Sequence, residues 1–162
     1  MHRPRSALHL FPRPPRRMAG VGLIEVLIAV TILAFGLLGI AAMQATTLRN
    51  SQSAAERSEA AIATNSILER MRANYNEAAN GSYDLATLTC NAPTGTNLIT
   101  NDQKAWIESI HASLGATACG QIVGCGDDTC EIIVQWDDSR GTQVGAGVEE
   151  SKTQKLVTET RL

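Results

Sequence analysis

The residues whose types and spacing suggest chemistry are Gly20, Val21 and Glu25, at the start of a long apolar run. Cutting the peptide bond after Gly20 would make Val21 a new N-terminal ammonium, four residues before the Glu25 carboxylate. Residues four apart on a helix lie one turn from each other, so the two charges could pair within one chain. In a bundle of helices, Glu25 could instead meet the Val21 ammonium of a neighbour. Because an unpartnered charge in an apolar core is costly, such a pair would set the axial register between chains.

The element that positions these groups is an apolar stretch, residues 26–43, with 18 residues and no charge. At 1.5 Å per residue a helix of this length reaches roughly 27 Å, close to the ~30 Å hydrocarbon core of a bilayer. We therefore predict one membrane-spanning helix. Gly36 and Gly39 each cost this helix about 1 kcal/mol relative to alanine. They indicate either close helix packing in the membrane or a segment able to unwind.

Charge is distributed unevenly along the chain. Residues 1–20 hold five arginines and no acid, whereas the whole chain has 14 basic and 16 acidic residues. Residues 21–162 therefore carry a net charge of −7, although the net charge of the chain is −2. Because a basic flank beside a membrane helix stays in the cytoplasm, we expect the acidic part on the other side of the membrane. An acidic body argues against non-specific nucleic-acid binding, which needs a basic surface.

The helix is predicted to continue past the membrane, since no proline interrupts residues 21–78. After Met43 the pattern becomes amphipathic, with one stripe on which a sheet can pack: Ala61, Thr64, Leu68, Met71 and Tyr75. The predicted domains are a basic leader (1–20), a membrane and assembly helix (21–43), the amphipathic half of the long helix (44–78) and an exported folded part (79–162).

The exported part is predicted to form a small antiparallel sheet. Residues 79–101 are rich in Asn, Thr, Gly and Pro and predict a loop. The apolar spacing of residues 102–114 predicts a short helix that ends before Gly115. Strands are predicted at 121–123, 131–136 and 152–161, with a glycine-rich loop at 141–147. The expected fold class is α+β, with one long N-terminal helix packed on a small antiparallel sheet.

All four cysteines lie in this exported part: Cys90, Cys119, Cys125 and Cys130. In an oxidising compartment, an even number of cysteines in a small domain indicates two disulfides, with three possible pairings. We favour a tight loop closed by Cys125 and Cys130, with Cys90 and Cys119 tying a long loop to the sheet. The alternative is a four-thiolate zinc site, although the sequence has no Cys-x-x-Cys pair.

The segment from Gly20 through Val-Gly-Leu-Ile-Glu25, with its basic leader and apolar run, resembles the type IV prepilin signature. That resemblance covers residues 16–43. It departs from the family pattern at Val21, where Phe is usual, and at Gly22, where Thr or Ser is frequent. Four further tracts resemble the PilV-type minor pilins, also called pilus modification proteins: residues 36–44, the Glu69-Arg-Met-Arg-Ala-Asn74 tract, the helix of Trp106 and the strand at 132–137.

The resemblance implies cleavage by prepilin peptidase between Gly20 and Val21 and N-methylation of Val21. It implies a pilin-like fold and storage in the bacterial inner membrane as a single-pass protein, with its N-terminus cytoplasmic and its C-terminal domain periplasmic. The expected partners are other major and minor pilins, prepilin peptidase, the inner-membrane assembly platform and membrane lipid. No cofactor and no nucleic acid are expected. The expected function is that of a minor pilin that helps to prime or modify assembly of a type IV pilus.

Other interpretations stay open. A minor pseudopilin of a type II secretion system would share the chemistry of Gly20 and Glu25, and a DNA-uptake or adhesion module is a competing class. A secretory signal peptide could be cut near Gly39-Ile-Ala41, and a plain membrane anchor could hold an unrelated domain. Glu25 is misplaced in a signal peptide, and in a plain anchor it would merely mark the membrane interface.

An enzyme is not expected from the sequence. His111 is the one histidine outside the leader, and its place on a short predicted helix is more typical of a surface residue than of a catalyst. The acidic pairs at 127–128 and 137–138 could bind calcium, but they lack the spaced oxygen ligands of an EF-hand loop. The sequence also contains no nucleophile elbow and no phosphate-binding loop.

Overall fold

The structure is a computed structural model that describes residues 20–127, 129–139, 141 and 152–162. The chain forms two compact units, one that ends at Ala41 and one from Ala42 to Leu162. Helix α1 (Leu23–Ala73) contributes residues to both units. It forms because Ala, Leu, Ile, Glu and Arg dominate its sequence and no proline interrupts it.

In the first unit, every described residue is exposed. Its apolar side chains range from Val26, which is 50% exposed, to Leu23, which is 91% exposed. By length and composition, α1 includes a segment that could cross a membrane. These side chains therefore have their apolar surface available for lipid or for other protein chains.

The second unit contains the sheet. Its elements are the C-terminal part of α1, α2 (Tyr75–Ala79), β1 (Leu85–Thr89), α3 (Leu98–Leu114), β2 (Cys119–Val123), β3 (Thr129–Asp137) and β4 (Thr153–Arg161). The four strands lie in the order β1-β2-β3-β4, and each neighbouring pair is antiparallel. The predicted α+β, pilin-like arrangement of a long helix on a small antiparallel sheet is confirmed.

The core lies between the inner face of the sheet, α3 and one face of α1. Alternation along β3 directs Ile132, Val134 and Trp136 inward, as the sequence pattern predicted. Helix α3 adds Trp106, whose ring lies over Gly120 of β2. A Cβ atom at Gly120 would lie 2.5 Å from that ring, so glycine is needed there for close packing.

The buried stripe of α1 differs from the predicted one. The structure confirms Thr64, Leu68 and Met71, but Ala61 is exposed and Tyr75 is 45% exposed. The buried positions are Ala60, Ala63, Thr64, Ile67, Leu68 and Met71. The prediction treated the helix as continuous to about residue 78, whereas α1 ends at Ala73 and α2 begins at Tyr75. Tyr75 therefore does not continue the face that packs on the sheet.

Residues 79–101 were predicted as a loop, and this was partly wrong. They contain β1 and the first turn of α3, whose N-cap is Asn97. The Asn97 side chain accepts a hydrogen bond of 2.7 Å from the backbone N–H of Thr100. The strands predicted at 121–123 and 131–136 are confirmed but longer. The strand at 152–161 is confirmed as β4, and the loop at 141–147 lies outside the described residues except for Gly141.

Candidate processing and assembly site

Gly20, Val21 and Gly22 precede the first helical residue, Leu23, and all three are exposed. Helical hydrogen bonding begins at Gly22, whose carbonyl accepts from the backbone N–H groups of Glu25 at 3.0 Å and Val26 at 3.3 Å. The peptide bond between Gly20 and Val21 is therefore non-helical and open to solvent. Exposed, non-helical peptide bonds of this kind are the ones that proteases reach most readily.

Glu25 is the third residue of α1 and the acidic residue of its first turn. A carboxylate at this position is stabilised by the partial positive charge at the helix N-terminus. Val21 lies two residues before α1, so the helical spacing predicted between Val21 and Glu25 is not present in the uncut chain. The nitrogen of Val21 is a peptide nitrogen there, and an ion pair with Glu25 requires cleavage first.

A polar cluster joins the C-terminal end of α1 to α3. Arg70 donates to one carboxylate oxygen of Asp102 at 2.9 Å, and the hydroxyl of Tyr83 donates to the other at 2.8 Å. Asn74 donates to the Tyr83 hydroxyl at 3.3 Å, and Gln103 donates to the Tyr83 carbonyl at 3.0 Å. Arg70 thus binds Asp102 and Asn74 binds Tyr83, while Tyr83 and Asp102 are hydrogen-bonded to each other. Two residues of the 69–74 tract therefore have a role in the fold.

Tyr83 is fully buried in this cluster. Burial raises the pKa of its hydroxyl above 10.0, because the phenolate would lose its contact with water. The hydrogen bond from Asn74 acts in the opposite direction, while the hydrogen bond to Asp102 and the charge of that carboxylate raise the pKa further. Tyr83 is therefore neutral at physiological pH and acts as a hydrogen-bond donor to Asp102.

A second set of contacts joins an earlier part of α1 to the end of β3. Ser53 donates to the buried carboxylate of Asp138 at 2.8 Å, and the indole nitrogen of Trp136 donates to Glu56 at 3.1 Å. Asp137 accepts from the backbone N–H of Ser139 at 2.9 Å and so closes a turn. Asp137 and Asp138, the two acids considered for calcium binding, therefore both make hydrogen bonds within the fold.

His111, the one histidine outside residues 1–20, also has a structural contact. The imidazole of His111 lies 3.0 Å from the carbonyl of Ala118, within hydrogen-bonding distance. Asp128 lies outside the described residues. Within the described ranges, no group of three or more His, Cys, Asp or Glu side chains could hold a metal ion.

The structure pairs Cys90 with Cys119 and Cys125 with Cys130. This is the connectivity that we favoured from the sequence. The first disulfide ties the chain after β1 to the start of β2, and the second closes the turn between β2 and β3. Since all four sulfurs are used, the thiolates required for the alternative zinc site are absent from this structure.

The polar cluster was missed by sequence reasoning. Arg70 and Asp102 are 32 positions apart, and Asn74 and Tyr83 lie on either side of the short helix α2. No local periodicity connects such residues. The one available signal was Tyr83, an aromatic residue within an otherwise polar segment, where a large apolar ring indicates burial.

The start of the chain is similar to a known family. Residues 15–41 match the family model described as the prokaryotic N-terminal methylation motif. The match includes the end of the leader from residue 15, Gly20, Glu25 and most of the apolar run. It indicates a type IV pilin-like or pseudopilin protein, a structural rather than an enzymatic class. It does not reach most of the tracts that resemble PilV-type minor pilins. No curated protein and no solved structure matches the chain.

Proposed function

We propose that this protein is a minor pilin subunit of a type IV pilus, cut between Gly20 and Val21, that helps to prime or modify pilus assembly. The observation that carries the proposal is the geometry at the methylation motif. The bond after Gly20 is exposed and non-helical, the helix starts at Leu23, and its first turn holds one carboxylate, Glu25. A prepilin leader and an apolar N-terminal helix fit a membrane-anchored pilin.

Cleavage would give Val21 an ammonium at the start of an apolar helix. N-methylation by the processing enzyme would keep that positive charge, because a methylated amine is still protonated. Glu25 could then pair with its own Val21 ammonium or with that of a neighbouring subunit. A neighbour in the wrong axial register would leave the carboxylate unpaired in an apolar environment, at a cost of about 2.5–3.5 kcal/mol.

In this proposal, the apolar side chains of residues 20–41 would be covered by lipid before assembly and by other pilin helices after it. Lipid would cover them while the subunit is stored in the inner membrane, with its N-terminus cytoplasmic and its folded unit periplasmic. Helices of other major and minor pilins would cover them after the assembly platform has moved the subunit into the filament. Lipid chains and apolar side chains cover apolar surface about equally well, so the transfer between the two environments needs little free energy.

A minor pseudopilin of a type II secretion system is the second candidate, since the methylation motif is equally compatible with it. The resemblance of four tracts to PilV-type minor pilins favours the pilus. One of these four tracts, residues 69–74, is weaker support for the pilus than the others. Arg70 and Asn74 belong to the polar cluster and therefore also have a role in folding. DNA uptake or adhesion is the candidate from a different class, and the net charge of −7 over residues 21–162 is unfavourable for binding DNA.

The cleavage step is tested by Gly20→Trp in cells that contain prepilin peptidase. The full-length precursor should accumulate in the membrane, since the peptidase would have to accept a bulky side chain directly before the cut. Gly36→Trp is the matched control, because Gly36 has open space around it and lies away from the bond. Mass spectrometry of the product gives both the cut position and the methyl group on Val21. Normal mature protein from Gly20→Trp would remove the cleavage proposal.

The register proposal is tested by Glu25→Ala. The variant should be cut normally but should be absent from purified pili, whereas Glu59→Ala, which removes an exposed acid further along α1, should assemble. Equal incorporation of both variants would contradict the role of Glu25.

Deletion of the gene in its own host distinguishes the two assemblies. Loss of surface pili with normal protein secretion supports the minor pilin, and the opposite result supports the pseudopilin.

A further inference from the structure

Helix α1 starts directly after a glycine. Gly22 is the last residue before the helix, and its carbonyl accepts the first helical hydrogen bonds, from Glu25 at 3.0 Å and Val26 at 3.3 Å. Gly22 is therefore the N-cap of α1, the flanking residue whose carbonyl accepts the first bond within a helix. Because the helix begins no earlier than Leu23, the peptide bond after Gly20 lies outside it.

The local sequence accounts for this start. Glycine is among the poorest helix formers and valine is a weak one, so all three of residues 20–22 oppose helix formation. Gly20 and Val21 flank the bond that would be cut, and each is therefore part of the reacting group. Gly22 is the one of the three that lies outside this bond and can act on it only through the helix.

Glycine does not by itself end this helix. Gly36 and Gly39 both lie inside α1, with helical turns before and after them. Helix formation is cooperative, so turns on both sides support an interior glycine. Gly22 has helical turns on its C-terminal side only. A glycine in that position sets the boundary of a helix, whereas an interior glycine only weakens the helix.

Neither space nor backbone conformation requires glycine at position 22. A Cβ atom there would lie 3.9 Å from the Cγ2 atom of Ile24, an ordinary van der Waals distance. The φ angle of Gly22 also lies outside the left-handed region that favours glycine. Alanine could therefore occupy this position without strain, and its main effect would be on the tendency of the chain to be helical.

We infer that Gly22 is a positioning residue for the proposed cleavage, because it keeps the start of α1 clear of the bond between Gly20 and Val21. If α1 began at Val21, the carbonyl of Gly20 would accept a helical hydrogen bond from the backbone N–H of Ile24. That carbonyl is the group that hydrolysis attacks. The oxygen of water joins its carbon, the C–N bond breaks, and the Val21 nitrogen leaves as an amine that takes up a proton.

This inference rests on the proposed function for the cleavage itself, and it adds the reason why the bond is accessible. A peptidase that binds the non-helical form finds only the fraction of chains in which α1 has not extended over the bond. The apparent affinity of an enzyme for its substrate falls in proportion to that fraction. A residue that controls the helix start therefore acts on KM, whereas a side chain that contacts the reacting atoms would act on kcat.

Gly22→Ala and Gly22→Ser test the inference, because the two new side chains differ by one hydroxyl group. Serine is a favoured N-cap residue and should keep the helix start, whereas alanine is a poor N-cap and the best helix former. The full-length precursors are purified in detergent and incubated with purified prepilin peptidase. Gly36→Ala is the matched control, since it makes the same change inside α1.

Gly22→Ala should raise KM by roughly two- to fivefold and leave kcat unchanged, since replacing glycine by alanine shifts a helix equilibrium by up to about fivefold. Gly22→Ser and Gly36→Ala should both match the wild-type chain. Equal KM values for the alanine and serine variants at position 22, or a change in kcat alone, would overturn the inference.

Amide hydrogen exchange followed by NMR tests the helix start without the peptidase. A helix that begins at Leu23 leaves the backbone N–H of Ile24 without a helical partner, as in the first turn of any helix. Gly22→Ala should slow exchange at Ile24, whereas Gly22→Ser should leave it as fast as in the wild-type chain. Unchanged exchange in Gly22→Ala would overturn the inference.

The two kinds of failure are distinguishable. A wild-type precursor that prepilin peptidase leaves uncut would overturn the proposed function together with this inference. A wild-type precursor that is cut, with variants at position 22 that are cut equally well, would overturn the role of Gly22 alone.

Discussion

Two parts of this chain use the same apolar residue types in opposite ways. Ile32 in the first unit is 68% exposed, whereas Ile67 in the second unit is fully buried, although both lie on α1. Ile67 is covered because the sheet and α3 supply a second layer on that face of the helix. Among residues 20–41, the described part of the first unit, no second layer covers the helix. Their apolar surface is therefore available to lipid or to other protein chains, whereas the second unit has a core of its own.

The largest expected difference between the two units is in the effect of replacing an isoleucine by aspartate. Ile67→Asp places a carboxylate in the core and should lower the free energy of unfolding by more than about 4 kcal/mol. Ile32→Asp should leave unfolding of the second unit unchanged but weaken membrane insertion by about 2.5–3.5 kcal/mol. Thermal unfolding, monitored by circular dichroism, measures the first effect. Extraction from membranes measures the second. Equal unfolding in both variants would mean that the units are not independent.

The two disulfides should differ in their effect on stability. Cys90–Cys119 closes a loop of 29 positions and Cys125–Cys130 one of 5. Loop entropy predicts that replacing both cysteines by serine costs about 3.5 kcal/mol for the first pair and about 2 kcal/mol for the second. Urea unfolding of the two double variants measures this order. A reversed order of stability would contradict the entropic account. Separately, two intact disulfides should make the mass of the non-reduced chain four hydrogens lower than that of the reduced chain.

A glycine-to-alanine change should also act differently in the two units. Gly120→Ala forces a Cβ atom against the Trp106 ring and should destabilise the second unit by about 1–3 kcal/mol. Gly36→Ala meets no neighbouring atom and should favour the helix by about 1 kcal/mol without changing that unit. Chemical denaturation of both variants gives the comparison. An unchanged midpoint for Gly120→Ala would show that Trp106 can move aside.

The smallest expected effect is a pH dependence confined to the second unit. Because the pKa of Tyr83 is raised above 10.0 in the folded protein, the folded state keeps its proton at a pH where the unfolded state loses it. The contribution to stability is complete below about pH 10 and falls as the pH rises further. Tyr83→Phe should remove this decline. It should also cost about 1 kcal/mol at neutral pH, where the hydrogen bond to Asp102 is lost.

The difference between the wild-type and Tyr83→Phe unfolding curves isolates this titration from those of lysine and arginine. Tyr75→Phe is the control, since Tyr75 is 45% exposed. The same pH dependence in wild type and Tyr83→Phe would show that another group is responsible.

Elements with a strong local pattern were predictable. The alternation of Ile132, Val134 and Trp136 indicated both the strand and its inward face, and the apolar run with Glu25 located the start of α1 to within two residues. Strand β1 was not predictable, because it is short and lies within residues 79–101, which are rich in Asn, Thr, Gly and Pro. Its strand geometry depends on pairing with β2. The break at Asn74 was missed because the sequence there contains no proline or glycine.

The sequence by itself determined the features that depend on covalent order and local spacing. These are the position of Glu25 after Gly20, the length of the apolar run and the charge difference between its two sides. The tertiary structure alone decided which distant residues meet, as Arg70 meets Asp102 and Gly120 lies beneath Trp106. The physical reason is that these contacts depend on which faces of α1, α3 and the sheet pack together and in which register, and no local pattern specifies that.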